Sequence, residues 1–126
     1  LRWFCFYLSL YSPRCHGEES LAEHLNSGQA FFPLCKKDSK EFFIVHVDQI
    51  RYVREAVEID LKPGHVFQVL LDQGPVLRVS LPETRRIWHA RPIDQLNEAE
   101  RFITFVQDGH AYLHVNKRHI ERVGGL

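Results

Sequence analysis

The sequence predicts a mainly β protein, in which two tandem units of hairpin, short helix and hairpin pack with pseudo-two-fold symmetry into one compact, small-barrel-like domain. The first observation behind this prediction is a series of short apolar segments separated by Gly, Pro, Asn and Asp, the pattern of strands joined by turns. The second is a set of residues that occurs twice along the chain in the same order. We expect one domain over residues 1–126, with copy A at 1–53, a linker or strand at 54–64 and copy B at 65–126.

Composition bounds the class of protein. The 126 residues are 44% hydrophobic and 25% charged, which is typical of a soluble globular domain. Lys plus Arg and Asp plus Glu number 16 each, so no net charge directs the chain to nucleic acid or to a membrane, and such binding would need a local patch. An odd number of cysteines, Cys5, Cys15 and Cys35, without a Cys-x-x-Cys pair favours unpaired thiols and a cytoplasmic location.

The N-terminal segment, residues 1–11, is apolar but too short to span a bilayer, for which about 20 residues are needed. Its even positions, Phe4, Phe6, Leu8 and Leu10, predict a strand with a second, partly covered face. We expect this strand to lie between the copies or in a homodimer contact, because its edge would otherwise be uncovered. The chain contains no methionine, so we expect either that residues upstream of Leu1 are missing or that the sequence was read from an unusual start.

The internal repeat is carried by ten identical pairs, which align once copy A is given one extra residue in the turn after Leu34. At a spacing of 71 residues the pairs are Ser9 and Ser80, Leu10 and Leu81, Arg14 and Arg85, Leu25 and Leu96, Asn26 and Asn97, and Phe31 and Phe102. At a spacing of 70 they are Asp38 and Asp108, Val45 and Val115, Ile50 and Ile120, and Val53 and Val123. We predict that the copies superpose strand on strand, with each Leu pair and Phe pair buried at equivalent points.

Copy B shows its elements most clearly. Val66 to Leu71 and residues 76–81 predict a hairpin with its turn at 72–74, and Pro92 is suited to begin a short helix. Asn97 is placed to end that helix in a left-handed conformation.

A second hairpin follows, with Asp108-Gly109 as a two-residue connection between its strands. Residues 116–123 then predict a turn and a short strand that brings Ile120 and Val123 to the core. Copy A repeats this order without the opening strand, and residues 57–61 are a candidate strand in the segment that joins the copies.

These residues carry a resemblance to a known family. Copy B resembles a small bacterial β-domain family of unknown function that shows an Asp-x-Leu-Asn turn, a Phe-centred strand and a Val-Asn-x-x-x-Ile-x-x-Val ending, here in "DQLN", "RFITF" and "VNKRHIERV". Copy A keeps Leu25-Asn26 and Phe31 but has His46 in place of the Asn of the ending. The closing strand, turn and strand are more remotely similar to Sm-like and SH3-like small barrels. The resemblance implies a fold and no chemistry.

The chain offers no catalytic or metal signature. His110 and His114 have the helical spacing of two zinc ligands, but they lie in an alternating strand pattern that separates them by about 13 Å. We therefore interpret them as solvated face residues and predict no metal or cofactor. Neither a nucleophile motif nor a phosphate-binding Gly loop occurs, so an enzyme is the less favoured class.

One basic stretch stands out. "RRIWHAR" interleaves three guanidinium groups with two rings that can stack on a base, and the final turn could add further basic residues to the same face. The candidate binding residues are Arg85, Arg86, Trp88, His89, Arg91, Asn116, Lys117, Arg118 and His119. The alternative is that Ile87 and Trp88 pin a loop whose arginines keep it soluble. In the same way Asn26 and Asn97 are interpreted as caps, and Asn116 as the acceptor of its own turn.

Three functional hypotheses follow. The favoured one is a non-catalytic binding or scaffolding module with an unknown protein partner. The second is an Sm-like RNA-binding module that uses the basic loop at residues 85–91. The third is a small-molecule-binding protein or enzyme with a site between the repeats.

Overall fold

The computed structural model describes residues 4–6, 20–36, 41–58, 60–61, 64–82 and 92–125, without the side chains of 4–6 and 92. The chain divides into two compact units, Leu1–Ile50 and Arg51–Leu126. Strands dominate both, so the prediction of a mainly β protein is confirmed. Within the described residues, every helix is too short or too polar to cross a membrane.

Unit 1 contains a three-stranded antiparallel sheet. Its strands are β1 (Phe4–Phe6), β2 (Phe31–Lys36) and β3 (Phe42–His46), in the order β1-β2-β3, with helix α1 (Leu21–Leu25) before β2 and a 3-10 helix (Val47–Gln49) after β3. The buried apolar residues described in this unit are Leu25, Phe32, Leu34, Val47 and Ile50. Of the predicted thiols, Cys35 is described, and its Sγ donates to the Lys36 carbonyl oxygen at 3.5 Å.

Helix α1 begins and ends at residues suited to those positions. The Ser20 hydroxyl oxygen accepts the N–H of Glu23 at 3.1 Å, the usual N-cap contact. The N–H of Asn26 donates to the Ala22 carbonyl oxygen at 3.1 Å and ends the helix. These caps set the direction of the helix, whose Leu25 is completely buried.

Unit 2 contains a six-stranded antiparallel sheet in the order β4-β8-β7-β6-β5-β9. The strands are β4 (Tyr52–Ala56), β5 (Val66–Leu71), β6 (Val76–Ser80), β7 (Phe102–Gln107), β8 (Ala111–Asn116) and β9 (Ile120–Gly125). Helix α2 (Pro92–Leu96) precedes β7, and a second 3-10 helix (Lys117–His119) joins β8 to β9. The sheet is open, with β4 and β9 as its outer strands.

Alternation along the strands places the core of unit 2 on one face of this sheet. In β5, for example, Phe67, Val69 and Leu71 are buried whereas Gln68 is exposed. The core comprises Phe67, Val69, Leu71, Leu77, Val79, Leu81, Ile103, Phe105, Leu113 and Val115, with Leu96, Ile120 and Val123 packed against it. The predicted contribution of Ile120 and Val123 to the core is confirmed.

The predicted hairpins of copy B are present, with changes in detail. The first strand has the predicted bounds and the second ends one residue early, at Ser80. The connection between β7 and β8 has three residues, not two, since Gln107 lies opposite Ala111. Asp108 and Gly109 within it have positive φ angles of 54° and 71°, which the short side chain and the glycine accommodate.

Two local predictions were wrong. Residues 57–61 form no strand where they are described; the strand of this region is β4, which ends at Ala56, before the predicted position. The N–H groups of Val57 and Leu61 instead donate to His110 and Gly109 carbonyl oxygens, at 2.9 and 2.7 Å. Asn97 follows the last residue of α2 as predicted, but its φ is not positive; its N–H donates to the Ile93 carbonyl oxygen at 3.2 Å.

The two halves share a sequence of elements and contacts from α1 to β4 and from α2 to β9. Phe31 lies opposite His46 in the β2–β3 pair, and Phe102 lies opposite Asn116 in the β7–β8 pair. Four residues, 37–40, join Lys36 to Glu41, and three, 108–110, join Gln107 to Ala111, so the connection between β2 and β3 has one more residue than that between β7 and β8, as the alignment of the copies requires.

The correspondence has two limits. In unit 2 Ser80 lies opposite Val106, and at a spacing of 71 this would place Ser9 opposite Cys35, whereas Cys5 occupies that position. Phe102 is buried but Phe31 is 56% exposed, so the predicted burial of both was wrong. In unit 1 Phe32 is the buried neighbour, because alternation turns one of two adjacent strand residues outward. The duplication itself stays a prediction.

Candidate functional site

The basic loop that the sequence emphasises lies outside the described part of the chain. Arg85, Arg86, Trp88, His89 and Arg91 all fall within residues 83–91. The four remaining candidates, Asn116, Lys117, Arg118 and His119, follow one another at the end of β8 and in the second 3-10 helix.

Asn116 performs the turn function that its sequence predicts. Its side-chain oxygen accepts the N–H of Arg118 at 3.1 Å and so begins the 3-10 helix. Its own N–H donates to the Arg51 carbonyl oxygen at 2.9 Å, and the residue is completely buried. A side chain used in this way cannot also contact a ligand at the surface.

Lys117 is bonded within unit 2. Its ammonium group donates to the Glu98 carbonyl oxygen at 2.9 Å, just after α2, and its N–H donates to the Arg101 carbonyl oxygen at 3.0 Å. The surrounding recess is shallow and open, with about 150 Å³ of space and no enclosed room for a ligand. Its lining residues are Gln95, Glu98, Glu100, Phe102, Ile103 and Lys117.

His119 belongs to a charged cluster around Asp72, in the turn after β5. The Nδ1 atom of His119 lies 3.1 and 3.2 Å from the two carboxylate oxygens of Asp72, and the Asp72 N–H donates to the His119 carbonyl oxygen at 2.9 Å. Arg51 donates to the same carboxylate at 3.1 Å and to the Asp72 carbonyl oxygen. The cluster joins the turn, the 3-10 helix and the start of β4, so of the four candidates only Arg118 is an exposed residue.

A buried histidine joins three strands of unit 2. His114 in β8 has only 2% of its side chain exposed; its Nδ1 lies 2.8 Å from the hydroxyl of Thr104 in β7, and its Nε2 lies 2.9 Å from a carboxylate oxygen of Glu55 in β4. An ionised carboxylate can only accept, so Nε2 carries a proton, and in the neutral ring Nδ1 accepts the hydroxyl proton of Thr104. The interpretation of His114 as a solvated residue was wrong, whereas His110 is exposed.

A hydroxyl, an imidazole and a carboxylate in this order also occur in nucleophilic enzymes. Here the three groups lie on adjacent strands, and the hydroxyl and the carboxylate are the hydrogen-bond partners of the buried imidazole. The recess beside Lys117 includes none of the three. Among the residues that the structure describes, no three His, Cys, Asp or Glu side chains are grouped to hold a metal ion.

The largest apolar exposure of the described residues lies on unit 1. Phe42, Phe43 and Ile44 of β3 are 57%, 41% and 65% exposed, and Phe31 of the neighbouring β2 is exposed as well. In the three-stranded sheet formed by the described residues, β3 is an outer strand. We name these four residues the β3 surface.

The corresponding strand of unit 2 is covered. At a spacing of 70 residues Phe43 and Ile44 correspond to Leu113 and His114, which are both buried. Leu113 packs in the core of unit 2, and β4 pairs with the outer side of β8 and contacts His114 through Glu55. The exposure of the β3 surface therefore coincides with the absence, among the described strands, of a partner equivalent to β4.

Comparisons with protein-family models, with curated proteins and with solved structures found no match. The class that the structure defines is a β-rich protein with two open antiparallel sheets. The resemblance to a small bacterial β-domain family stays a prediction.

Sequence reasoning missed both the β3 surface and the buried histidine. The run "FFIVH" carries a signal for the first, since it is apolar at consecutive positions and so predicts a strand with apolar side chains on both faces. His114 carries none, because its partners Thr104 and Glu55 are brought beside it only by the pairing of β7 and β4.

Proposed function

We propose that this protein is a non-catalytic binding or scaffolding module that uses the β3 surface as its contact with a protein partner. The observation that carries the proposal is the exposure of three consecutive apolar side chains on an outer strand. Exposed apolar patches in soluble proteins mark interaction sites, and an outer strand offers backbone N–H and C=O groups to an added strand. Together they suit a partner that binds by strand addition. A homodimer formed through residues 1–11 is a compatible second contact.

The alternative of RNA binding is supported by the composition of residues 85–91 and by the exposed Arg118. It is weakened by the internal bonds of Asn116, Lys117 and His119, which remove most of the second half of the predicted basic face. Retention on immobilised RNA that falls with rising salt and is lost in Arg85→Glu/Arg86→Glu would favour RNA binding over the main proposal.

The test of the main proposal compares three baits: the wild-type protein, Ile44→Lys and Val76→Lys. Val76 is a matched control because it is 53% exposed on a strand of unit 2, away from the β3 surface. Partners captured by the wild type are identified, purified and remeasured by calorimetry. We expect Ile44→Lys to weaken binding at least tenfold and Val76→Lys to preserve it. Equal binding by both variants would place the contact elsewhere.

A further inference from the structure

We propose that the partner of the β3 surface is a second copy of this chain, whose β9 strand adds antiparallel to β3. The inference rests on the proposed function, since it names the partner of the same surface. The proposed pairing between molecules has the same form as the pairing of β4 with β8 within unit 2.

The precedent is the pairing of β4 with β8. Strand β4 follows the first 3-10 helix, and β9 follows the second. The two helices are built alike: the side chain of His46 accepts the N–H of Asp48 at 3.1 Å, as that of Asn116 accepts the N–H of Arg118. Strands β4 and β9 are therefore equivalent in position, and so are β3 and β8.

Both strands of the proposed pair, β3 and β9, lie at an edge of their sheets in the described structure. β4 pairs with the outer side of β8, whereas neither β3 nor β9 has a strand on its outer side among the described residues. Among the described strands, β3 is therefore equivalent to β8 but has no strand in the position of β4 beside it. Likewise β9 is equivalent to β4 but has no strand in the position of β8 beside it. Pairing β9 of one molecule with β3 of the next satisfies both.

The precedent also fixes the register. In unit 2 Val53 lies opposite His114, Arg54 opposite Leu113 and Glu55 opposite Tyr112. Adding 70 to the β4 positions and subtracting 70 from the β8 positions gives three intermolecular pairs: Val123 with Ile44, Gly124 with Phe43, and Gly125 with Phe42.

The side chains in this register are complementary. The most exposed residue of the β3 surface, Ile44, meets the apolar Val123, while the two phenyl rings meet glycines. A Cβ added at Gly124 or Gly125 has no atom within 4 Å, so the space beside both glycines is open for a neighbouring ring. Aromatic side chains placed across from edge glycines are a known means of stabilising strand pairs.

The two edges differ, so the contact is head to tail, and an open assembly keeps one unused β3 at one end and one unused β9 at the other unless it closes into a ring. This property gives a test by complementation. Ile44→Lys blocks the acceptor strand and leaves β9 intact. Gly124→Lys blocks the donor strand and leaves β3 intact, and its side chain has room in the folded molecule.

The experiment measures mass by sedimentation velocity over a concentration series, with circular dichroism to establish that each variant is folded. We expect the wild type to associate and each variant alone to be monomeric, with the dissociation constant raised at least tenfold. An equimolar mixture of the two variants should form a dimer and nothing larger, because one intact β3 and one intact β9 remain between them. Val76→Lys should associate as the wild type does.

Three results would overturn the inference. One is a wild type that is monomeric at every concentration. Another is a Gly124→Lys variant that associates normally while Ile44→Lys does not, since β3 would then pair with something other than β9. The last is two folded, monomeric variants whose mixture stays monomeric. In each case the capture experiment with the wild type, Ile44→Lys and Val76→Lys still tests whether the β3 surface binds a different protein. Failure of the self-association proposal is therefore distinguishable from failure of the proposed function.

Discussion

Asn116 and His46 begin equivalent 3-10 helices with different side chains, and their burial differs. Asn116 is completely buried, whereas the His46 side chain is 41% exposed. We expect Asn116→Ala to lower the free energy of unfolding by about 1 to 2 kcal/mol, because the cap is lost and a completely buried side chain is truncated. His46→Ala should cost less, since water can replace the ring. Urea denaturation of both variants measures the difference, and equal losses would contradict the assignment.

The buried His114 gives a second prediction at the scale of the residue. Thr104→Val keeps the shape of the side chain but removes the hydroxyl at 2.8 Å from Nδ1, leaving a buried ring nitrogen without that partner. The expected loss is about 1 to 3 kcal/mol of unfolding free energy. Thr104→Ser retains the hydroxyl and serves as the control. If the serine variant were the less stable of the two in thermal and urea unfolding, packing and not the hydrogen bond would explain the site.

At the scale of the element, the turn between β7 and β8 depends on Gly109. Its φ is +71°, and an added Cβ would lie 2.9 Å from the Leu61 carbonyl oxygen. Gly74 has nearly the same φ, +70°, but no atom within 4 Å of an added Cβ. Gly74→Ala should therefore cost about 1 to 2 kcal/mol through the left-handed backbone alone, and Gly109→Ala should cost more. Differential scanning calorimetry compares them; equal costs would show that the close approach is relieved by a small shift.

The two short helices each end at a leucine, and the two leucines differ in burial. Leu25 at the end of α1 is completely buried, whereas Leu96 at the end of α2 is partly buried against the core of unit 2. Leu25→Ala should destabilise the protein by about 2 to 5 kcal/mol, and Leu96→Ala by less, because solvent already reaches part of that site. Denaturant midpoints of the two variants decide the order. The reverse order would indicate that α2 has the larger role in stability.

At the scale of the whole molecule, the described residues that form the core of unit 2 all belong to that unit. We expect a fragment of residues 51–126 to fold alone and unfold cooperatively, because its six strands bury a continuous apolar cluster. A fragment of residues 1–50 has five buried apolar residues among those described and should not fold alone. Near-ultraviolet circular dichroism and amide dispersion report the outcome. An unfolded 51–126 fragment would show that unit 2 needs unit 1.

The sequence by itself determined what depends on neighbours along the chain. The hairpin of β5 and β6 follows from the alternation of apolar residues. The start of α2 at Pro92 follows from the fixed φ of proline, and the turn function of Asn116 follows from a side chain that reaches two residues onward. Each needs only a few consecutive residues, so the local pattern is sufficient.

Tertiary structure decided which strands meet and which surfaces are left uncovered. Glu55 and His114 are 59 residues apart, and only the pairing of β4 with β8 brings them within 2.9 Å. The same pairing covers β8, while its counterpart β3 keeps Ile44 exposed. A strand pattern predicts that successive residues point to opposite faces of a sheet. It does not predict which strand lies beside it, because pairing depends on packing between residues far apart in the sequence. The buried histidine was therefore visible only in the folded chain, whereas the run "FFIVH" indicated apolar side chains on both faces of β3 and the folded chain showed that they are exposed.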